Sequence, residues 1–327
     1  MATKADILDA SSTSSGYSAV VVTRNRKLLL AECVEAILFQ TVAPDKLYIM
    51  DQASDDGTES HLESLGLLQN IRVCYIRSDT NQGGAGGFYW GMKRAHDDGA
   101  KWIWIMDDDA IPDNSAALKM MEMTRFPKVL AVGNQKLNRF HKVDSNHIVK
   151  MPGYDDEVPY QRLEFSSFVG LLVSRQAIDL IGLPKKELFF QEDDREYCDR
   201  ILRHGDIAFS AESIIVHKNA SAPNVQKCFR GKNYMRLESD KFCLKYFYWR
   251  NHLWRLLHRH PFEFVDIYRH LRALEREYRH VVFIDRDNTI LRLCILTRAT
   301  LDALRSRFDN EWAFKMQDKV MARRCSV

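Results

Sequence analysis

The chain has 327 residues, 46% of them hydrophobic and 28% charged, with a net charge of +3; this is a globular composition for one or two domains and excludes a disordered or fibrous chain. No run of about 18 apolar residues suggests a membrane span, and the polar start MATKADILDASSTSSG lacks a signal-peptide core, so residues 1–16 read as a flexible N-terminus and the protein as cytoplasmic. Seven cysteines, odd in number and never spaced Cys-x-x-Cys, indicate neither a disulfide framework nor a zinc knuckle and read as reduced, mostly buried thiols.

From the N-terminus, YSAVVVT (17–23) is a β-branched run, and RKLLLAECVEAILFQ (26–40) places Leu29, Cys33, Ala36, Ile37 and Phe39 near helical spacing. KLYIMD (46–51), IRVCYIRS (71–78) and KWIWIMD (101–107) read as further strands, separated by loop-plus-helix segments, notably 84–98 and 114–124. Such alternation predicts an α/β fold: a mostly parallel central sheet flanked by helices, with ligands beyond the carboxyl ends of the strands. The polar motifs collect there. TRNR follows the first strand, DQASDDGT the second, DTNQGGAGGF the third and DDDA the fourth. This domain spans 17–225. The rest, 226–327, shows long helical patterns at 239–260, 262–280 and 288–307; residues 225–327 hold 22 Lys and Arg against 12 Asp and Glu.

The glycines of NQGGAGGF do not make a dinucleotide fingerprint, because Tyr89 stands where the third glycine belongs. A glycine-rich loop opening a helix still allows backbone at Gly83 and Gly84 to approach a phosphate. DDDA carries more chemistry. The D-x-D spacing of Asp107 and Asp109 at a strand end suits Mg²⁺ or Mn²⁺ holding a diphosphate; Asp113 or Asn114 would suffice as a helix cap, and three further acids exceed what a cap needs. In LFFQEDDREYCDRILRHG (188–205), Glu192, Asp193, Asp194 and Glu196 gather at a helix start. One of them can act as a general base, although a helix dipole also favours acids at this position. IIVHK then ends a strand-like run at His217.

The order VVVTRNR, QTVAPDKLYIMDQASDDGT, NQGGAGGF, WIMDDDA, EDDREY and VHK resembles the family 2 inverting glycosyltransferases of the GT-A fold over residues 17 to about 220, and weakly to YFYWRN (246–251). The GGAGGF, DDDA and DDxEY forms are most similar to bacterial galactofuranosyltransferases, with rhamnosyltransferases next. The resemblance implies that Thr23, Arg26, Asp51 and Asn81, with Gly83, Gly84, Asp107 and Asp108, bind a nucleotide-sugar. It implies Asp107, Asp109 and His217 as ligands of Mn²⁺ or Mg²⁺, and Asp194 as the catalytic base supported by Asp193 and Glu196; spacing alone permits Asp193 or Asp194. A UDP-sugar, favoured as UDP-galactofuranose, would be the donor for bacterial surface polysaccharide, with dTDP-rhamnose the alternative and an inactive nucleotide-sugar-binding module the non-enzyme reading. The acceptor would be a glycan or lipid-linked glycan. Phe165 and Phe168 stand where that subgroup often has tryptophans beside the acceptor, and Gln52 where the family often has Asn.

KFCLKYFYWRNHLWRLLHRH mixes aromatics with Lys, Arg and His as helices lying on anionic membranes do, so peripheral contact with the inner face of a membrane is a further expectation. The same segment read as core would bury its aromatics. No nucleic-acid recognition motif is present, and nucleic acid is not an expected partner.

Overall fold

The computed structural model describes residues 15–144, 148–150, 158–218, 224–238, 241–259 and 261–316. The expectation of a flexible start falls almost wholly outside them, as does Cys325. The YSAVVVT run forms β1 (Tyr17–Thr23), buried along its length, and α1 (Lys27–Leu38) follows with Leu30, Cys33, Val34 and Ile37 inside. Residues three and four apart share a helix face, which is why these meet the sheet together. The alternation continues through β2 (Leu47–Asp51), α2 (Thr58–Ser64), β3 (Val73–Arg77), α3 (Gly83–Asp97) and β4 (Trp102–Asp107). Within β4, Ile103–Met106 are buried on both faces of the sheet, Trp104 in one hydrophobic layer with Leu30, Ile37 and Ile49, and Ile103 in the other with Phe88 and Tyr197. A continuous apolar run is what a strand covered on both sides requires.

Next come β5 (Ala110–Pro112), α4 (Ala116–Met121), β6 (Val129–Asn138), β7 (Ile148–Lys150), β8 (Leu163–Ser166), β9 (Leu171–Ser174), α5 (Arg175–Ile181), α6 (Asp193–Ile201) and β10 (Asp206–His217). The main sheet has the order β3-β2-β1-β4-β9-β6-β10-β5. Strands β3, β2, β1 and β4 are parallel, as are β6 and β10, while β9 runs against β4 and β6. Register then fixes the edge: Thr23 lies opposite Asp51, and Val22 opposite Asp107.

The glycine-rich stretch is not a loop but the first turns of α3. A Cβ on Gly87 would come within 2.4 Å of Val22 Cγ1, and one on Gly91 within 2.3 Å of Val20 Cγ1. These glycines let α3 settle directly onto the sheet.

After residue 218 the chain does not turn helical at once. β11 (Asn224–Phe229) and β12 (Lys232–Leu237) form an antiparallel hairpin whose turn residues Arg230 and Gly231 both have positive φ, the geometry that two-residue hairpins need. Arg-Gly is a weaker written signal than Asn-Gly, and the hairpin went unread in the sequence. Helices α7 (Leu244–His258), α8 (Phe264–His280) and α9 (Thr289–Leu304) complete the C-terminal region. Buried Arg236 of β12 reaches Asp285 Oδ1 at 2.8 Å and Glu277 Oε2 at 3.0 Å, tying the hairpin to the helices.

The α7 segment, open in the sequence between membrane surface and core, is core: Tyr246, Phe247, Trp249, Leu253 and Trp254 are buried, several of them against Ile295, Leu296 and Ala299. Exposed apolar side chains lie instead at the start of α8, with Phe262, Phe264, Val265, Tyr268 and Leu271 in solvent. Among the described residues no helix is long and apolar enough to cross a membrane. The cysteines divide more evenly than expected, with Cys33, Cys198 and Cys243 buried, Cys74 half-buried, and Cys228 and Cys294 exposed.

Candidate active site

The three acids that end β4 have different partners. Asp108 accepts hydrogen bonds from Thr23 Oγ1 at 2.8 Å and Arg26 Nη1 at 3.0 Å, so it tethers two residues of TRNR. Burial raises its carboxyl to about 6 against the pull of Arg26. Asp109 shares Arg26, whose Nη1 lies 3.5 Å from its Oδ2, and on its other side Asp109 Oδ1 lies 3.2 Å from His217 Nε2. They meet because β5 starts immediately after the triplet and pairs antiparallel with the end of β10, Ala110 opposite His217, while Lys218 N–H donates to Asp109 O at 2.9 Å. Asp107, Asp109 and His217 each offer a donor atom within 4.8 Å of the others. Burial and the charges of Asp109 and Asp108 push the Asp107 carboxyl well above its usual range. An oxygen-rich set with one imidazole, under mutual repulsion, fits a divalent cation such as Mg²⁺ or Mn²⁺.

Several residues expected at the nucleotide have hydrogen-bond partners within the protein. Asp51 is fully buried; its Oδ1 accepts from Ser54 N–H at 2.9 Å and its Oδ2 from the Tyr75 hydroxyl, which shapes the loop after β2. Asn25 and Asp55 join that loop to the one after β1 through an Asp55 N–H to Asn25 Oδ1 bond of 2.8 Å. Gly83 has φ +73 and packs so tightly under Phe189 that a Cβ would lie 2.1 Å from its carbonyl oxygen. Gly84 has open space before it and lines a cavity with Asp107. Half-buried Asn81 accepts from Gly83 N–H at 2.9 Å, and Gln52 from Gln82 N–H at 3.1 Å, both bracing the entry to α3.

The acids of EDDREY follow a run of backbone held in the left-handed region: Phe189, Gln191 and Glu192 all have φ near +66. Such conformations persist only where surroundings impose them. Here α7 does so. Asn251 Nδ2 lies within 2.8 to 3.0 Å of the carbonyls of Leu188, Phe190 and Gln191, and Arg250 Nη2 donates to Leu188 O at 3.1 Å. Glu192 Oε2 takes Arg255 Nε at 2.8 Å and sits 3.1 Å from His252 Nδ1; burial opposes its charge, but His252 and Arg255 outweigh it and hold the carboxyl at about 2. The result presents Asp193 and Asp194 at the start of α6. Burial and the adjacent Asp194 raise Asp193 to about 8, whereas burial and Glu192 raise Asp194 to about 6. Both carboxyls are thus pushed upward, and the pair titrates as a unit that retains a shared proton above the usual carboxylate range. Glu196 turns away to Arg200 at 2.9 Å within the helix, so it braces α6 rather than the base. Residue-by-residue reading missed this clamp; its signal was the polar Arg250, Asn251, His252 and Arg255 on an otherwise aromatic helix.

One cavity of about 370 Å³ unites the two acidic halves of the sequence, with Asp107 and Gly84 on one side and Asp193 and Asp194 on the other. Phe165, Phe168, Phe190 and Tyr248 supply aromatic wall.

Residues 18–170 match the family model described as glycosyl transferase family 2. This stretch is a family 2 glycosyltransferase domain. The chain is 29% identical over 211 residues to the galactofuranosyltransferase GlfT1 of Mycolicibacterium smegmatis, covering 57% of this chain and 65% of the relative. It is 29% identical over 201 residues to GlfT1 of Mycobacterium tuberculosis, covering 57% and 64%. The matches thus span somewhat less than two thirds of these relatives. Among solved structures, the mannosyltransferase PcManGT of Pyrobaculum calidifontis, in complex with GDP-Man and Mn²⁺, superposes with a TM-score of 0.51 at 14% identity over 94% of this chain and 80% of that one. GalNAc-T7 with UDP, GalNAc and Mn²⁺ gives 0.53 at 13% identity over 62% and 43%. At these identities the likeness is one of fold, and the family 2 domain has the GT-A fold.

Proposed function

We propose that this chain is a divalent-metal-dependent inverting hexosyltransferase that moves a sugar from a UDP-sugar, favoured as UDP-galactofuranose, to a hydroxyl of a glycan or lipid-linked glycan. The observation that carries this reading is that Asp107 and Asp194 line one cavity. Asp107, Asp109 and His217 would hold Mg²⁺ or Mn²⁺, which when bound neutralises charge on the departing diphosphate. Asp194 removes the proton of the acceptor hydroxyl as its oxygen bonds the anomeric carbon, and the bond from that carbon to the diphosphate oxygen breaks on the opposite face, inverting configuration. Arg26, part-exposed beside the acids, faces the nucleotide. The aromatic wall seats the sugars and excludes water. Similarity to proteins named galactofuranosyltransferases supports the choice of donor.

A panel of nucleotide-sugars, scored for metal-dependent release of free nucleotide, tests the donor. Release from UDP-galactofuranose is expected; preference for dTDP-rhamnose would overturn the donor assignment, and release from none would overturn the transferase reading.

Membrane contact, in this proposal, belongs to α8. Phe264 and Tyr268 are 80% and 64% exposed, and exposed Arg272, Arg276 and Arg279 on the same helix outnumber the one acid, Glu275, that Arg272 and Arg279 share, a surplus of positive charge suited to an anionic bilayer surface. Vesicles of phosphatidylglycerol should sediment the protein and those of phosphatidylcholine should not, with Phe264→Asp reducing the bound fraction several-fold. Equal behaviour with both lipids would remove α8 as the docking face.

A further inference from the structure

Beside the aromatic cavity lies a second, of about 320 Å³, which shares Phe165 and Arg195 with it. Its walls are charged, with Arg255 and His252 from α7, Arg259 just beyond and Arg269 from α8 among Glu164, Asp199 and Asp266. Three of these guanidinium groups already have acids. Arg255 Nη1 lies 2.7 Å from Asp199 Oδ2, Arg259 Nη1 3.4 Å from Asp266 Oδ2, and Arg269 Nη1 3.1 Å from Asp266 Oδ1. Arg195 differs. Among the described residues no carboxylate lies within ion-pair distance of its guanidinium, Glu164 at the same cavity included; the group sits over the Phe165 ring, 4.0 Å from its centroid.

A guanidinium fixed over an aromatic face has little rotamer freedom left to lose, and its planar fork matches a carboxylate or phosphate through two parallel hydrogen bonds. It stands between two cavities, one residue along α6 from Asp194. The other three guanidinium groups of this cavity are in contact with acids, whereas Arg195 acts on Asp194 only at longer range, so its hydrogen-bonding fork is left open to an anion beside the reacting position. We infer that Arg195 is a specificity-determining residue that receives an oxyanion, carboxylate or phosphate, carried by the acceptor glycan near its reacting hydroxyl. That the ligand is an acceptor rests on the transferase reading; the anion preference itself is measurable without turnover.

The full chain, loaded with UDP and Mn²⁺, is titrated calorimetrically with an uncharged alkyl galactoside, an alkyl glucuronide and a galactosyl alkyl phosphate. The wild type should bind at least one anionic glycoside about ten- to a hundredfold more tightly than the neutral one, the worth of a charge-assisted hydrogen bond, and the better of the two identifies the oxyanion. Arg195→Gln should lose that preference while binding UDP and the neutral glycoside as before, which also reports that it folds; Arg195→Lys should restore only part. No anion preference in the wild type, or its survival in Arg195→Gln, overturns the assignment. So does a variant with unchanged acceptor affinities and a displaced acid limb in kcat/KM, because Arg195 would then serve only to stabilise the Asp194 carboxylate. Should the wild type consume no nucleotide-sugar at all, the transferase reading fails and the titration still decides the anion site.

Discussion

Asp194→Asn is expected to lower kcat by about 10²–10⁴-fold, the usual worth of a positioned general base, while leaving UDP affinity within a few-fold of wild type. The amide preserves shape but cannot accept the proton of an attacking hydroxyl. Asp193→Asn should cost far less, since burial and the adjacent Asp194 raise Asp193 and favour its protonated form, which an amide imitates. The two substitutions therefore separate neighbouring carboxyls that spacing alone left equivalent. The pH dependence carries a sign as well. Asp194 acts as the carboxylate and is raised to about 6, so kcat/KM should be level above that pH and fall about tenfold per unit below it. Turnover of Asp194→Asn near the wild-type rate, or a flat profile from pH 5 to 7, would remove Asp194 from the role of base.

Asp109→Ala should reduce kcat/KM by about 10³-fold, corresponding to several kcal/mol of charge stabilisation, and added Mn²⁺ should not restore it at concentrations that saturate the wild type. A chelator should inactivate the wild type to a similar extent, reversibly on addition of Mn²⁺ or Mg²⁺. Asp108→Asn provides the contrast. Its partners are Thr23 and Arg26, so metal affinity measured by Mn²⁺ titration should persist while the TRNR loop loosens. Equal loss of Mn²⁺ binding in both variants would mean that the triplet acts as a block and that the division of labour among its acids is wrong.

Much of the sheet was legible because each strand and helix writes its own pattern: the β-branched run at 17–23, the short apolar run at 46–51, the helical spacing at 26–40, and the apolar WIWIM of an interior strand. The GGAGGF stretch misled in one respect. Glycines that admit a phosphate and glycines that admit a neighbouring strand look identical in sequence, and only the approach of Val20 and Val22 separates the two uses at Gly87 and Gly91. Asp51 shows the same limit, since a carboxylate at a strand end reads as a ligand contact whether or not Ser54 and Tyr75 have already engaged it. The aromatic α7 segment was open between membrane surface and core because amphipathic composition does not say what lies against the apolar face.

The sequence by itself determined the alternating α/β order, the carboxylates closing β4 and the acids opening α6, because these depend on spacing within one element. Tertiary structure decided which of them meet. His217 reaches Asp109 only because a three-residue strand, β5, pairs with the far end of β10, and the base loop keeps its left-handed backbone only because Arg250 and Asn251 hold its carbonyls from α7. Pairings between residues so distant along the chain leave no local period, and the conformational strain they sustain is offset by contacts made only when the folded elements close on one another.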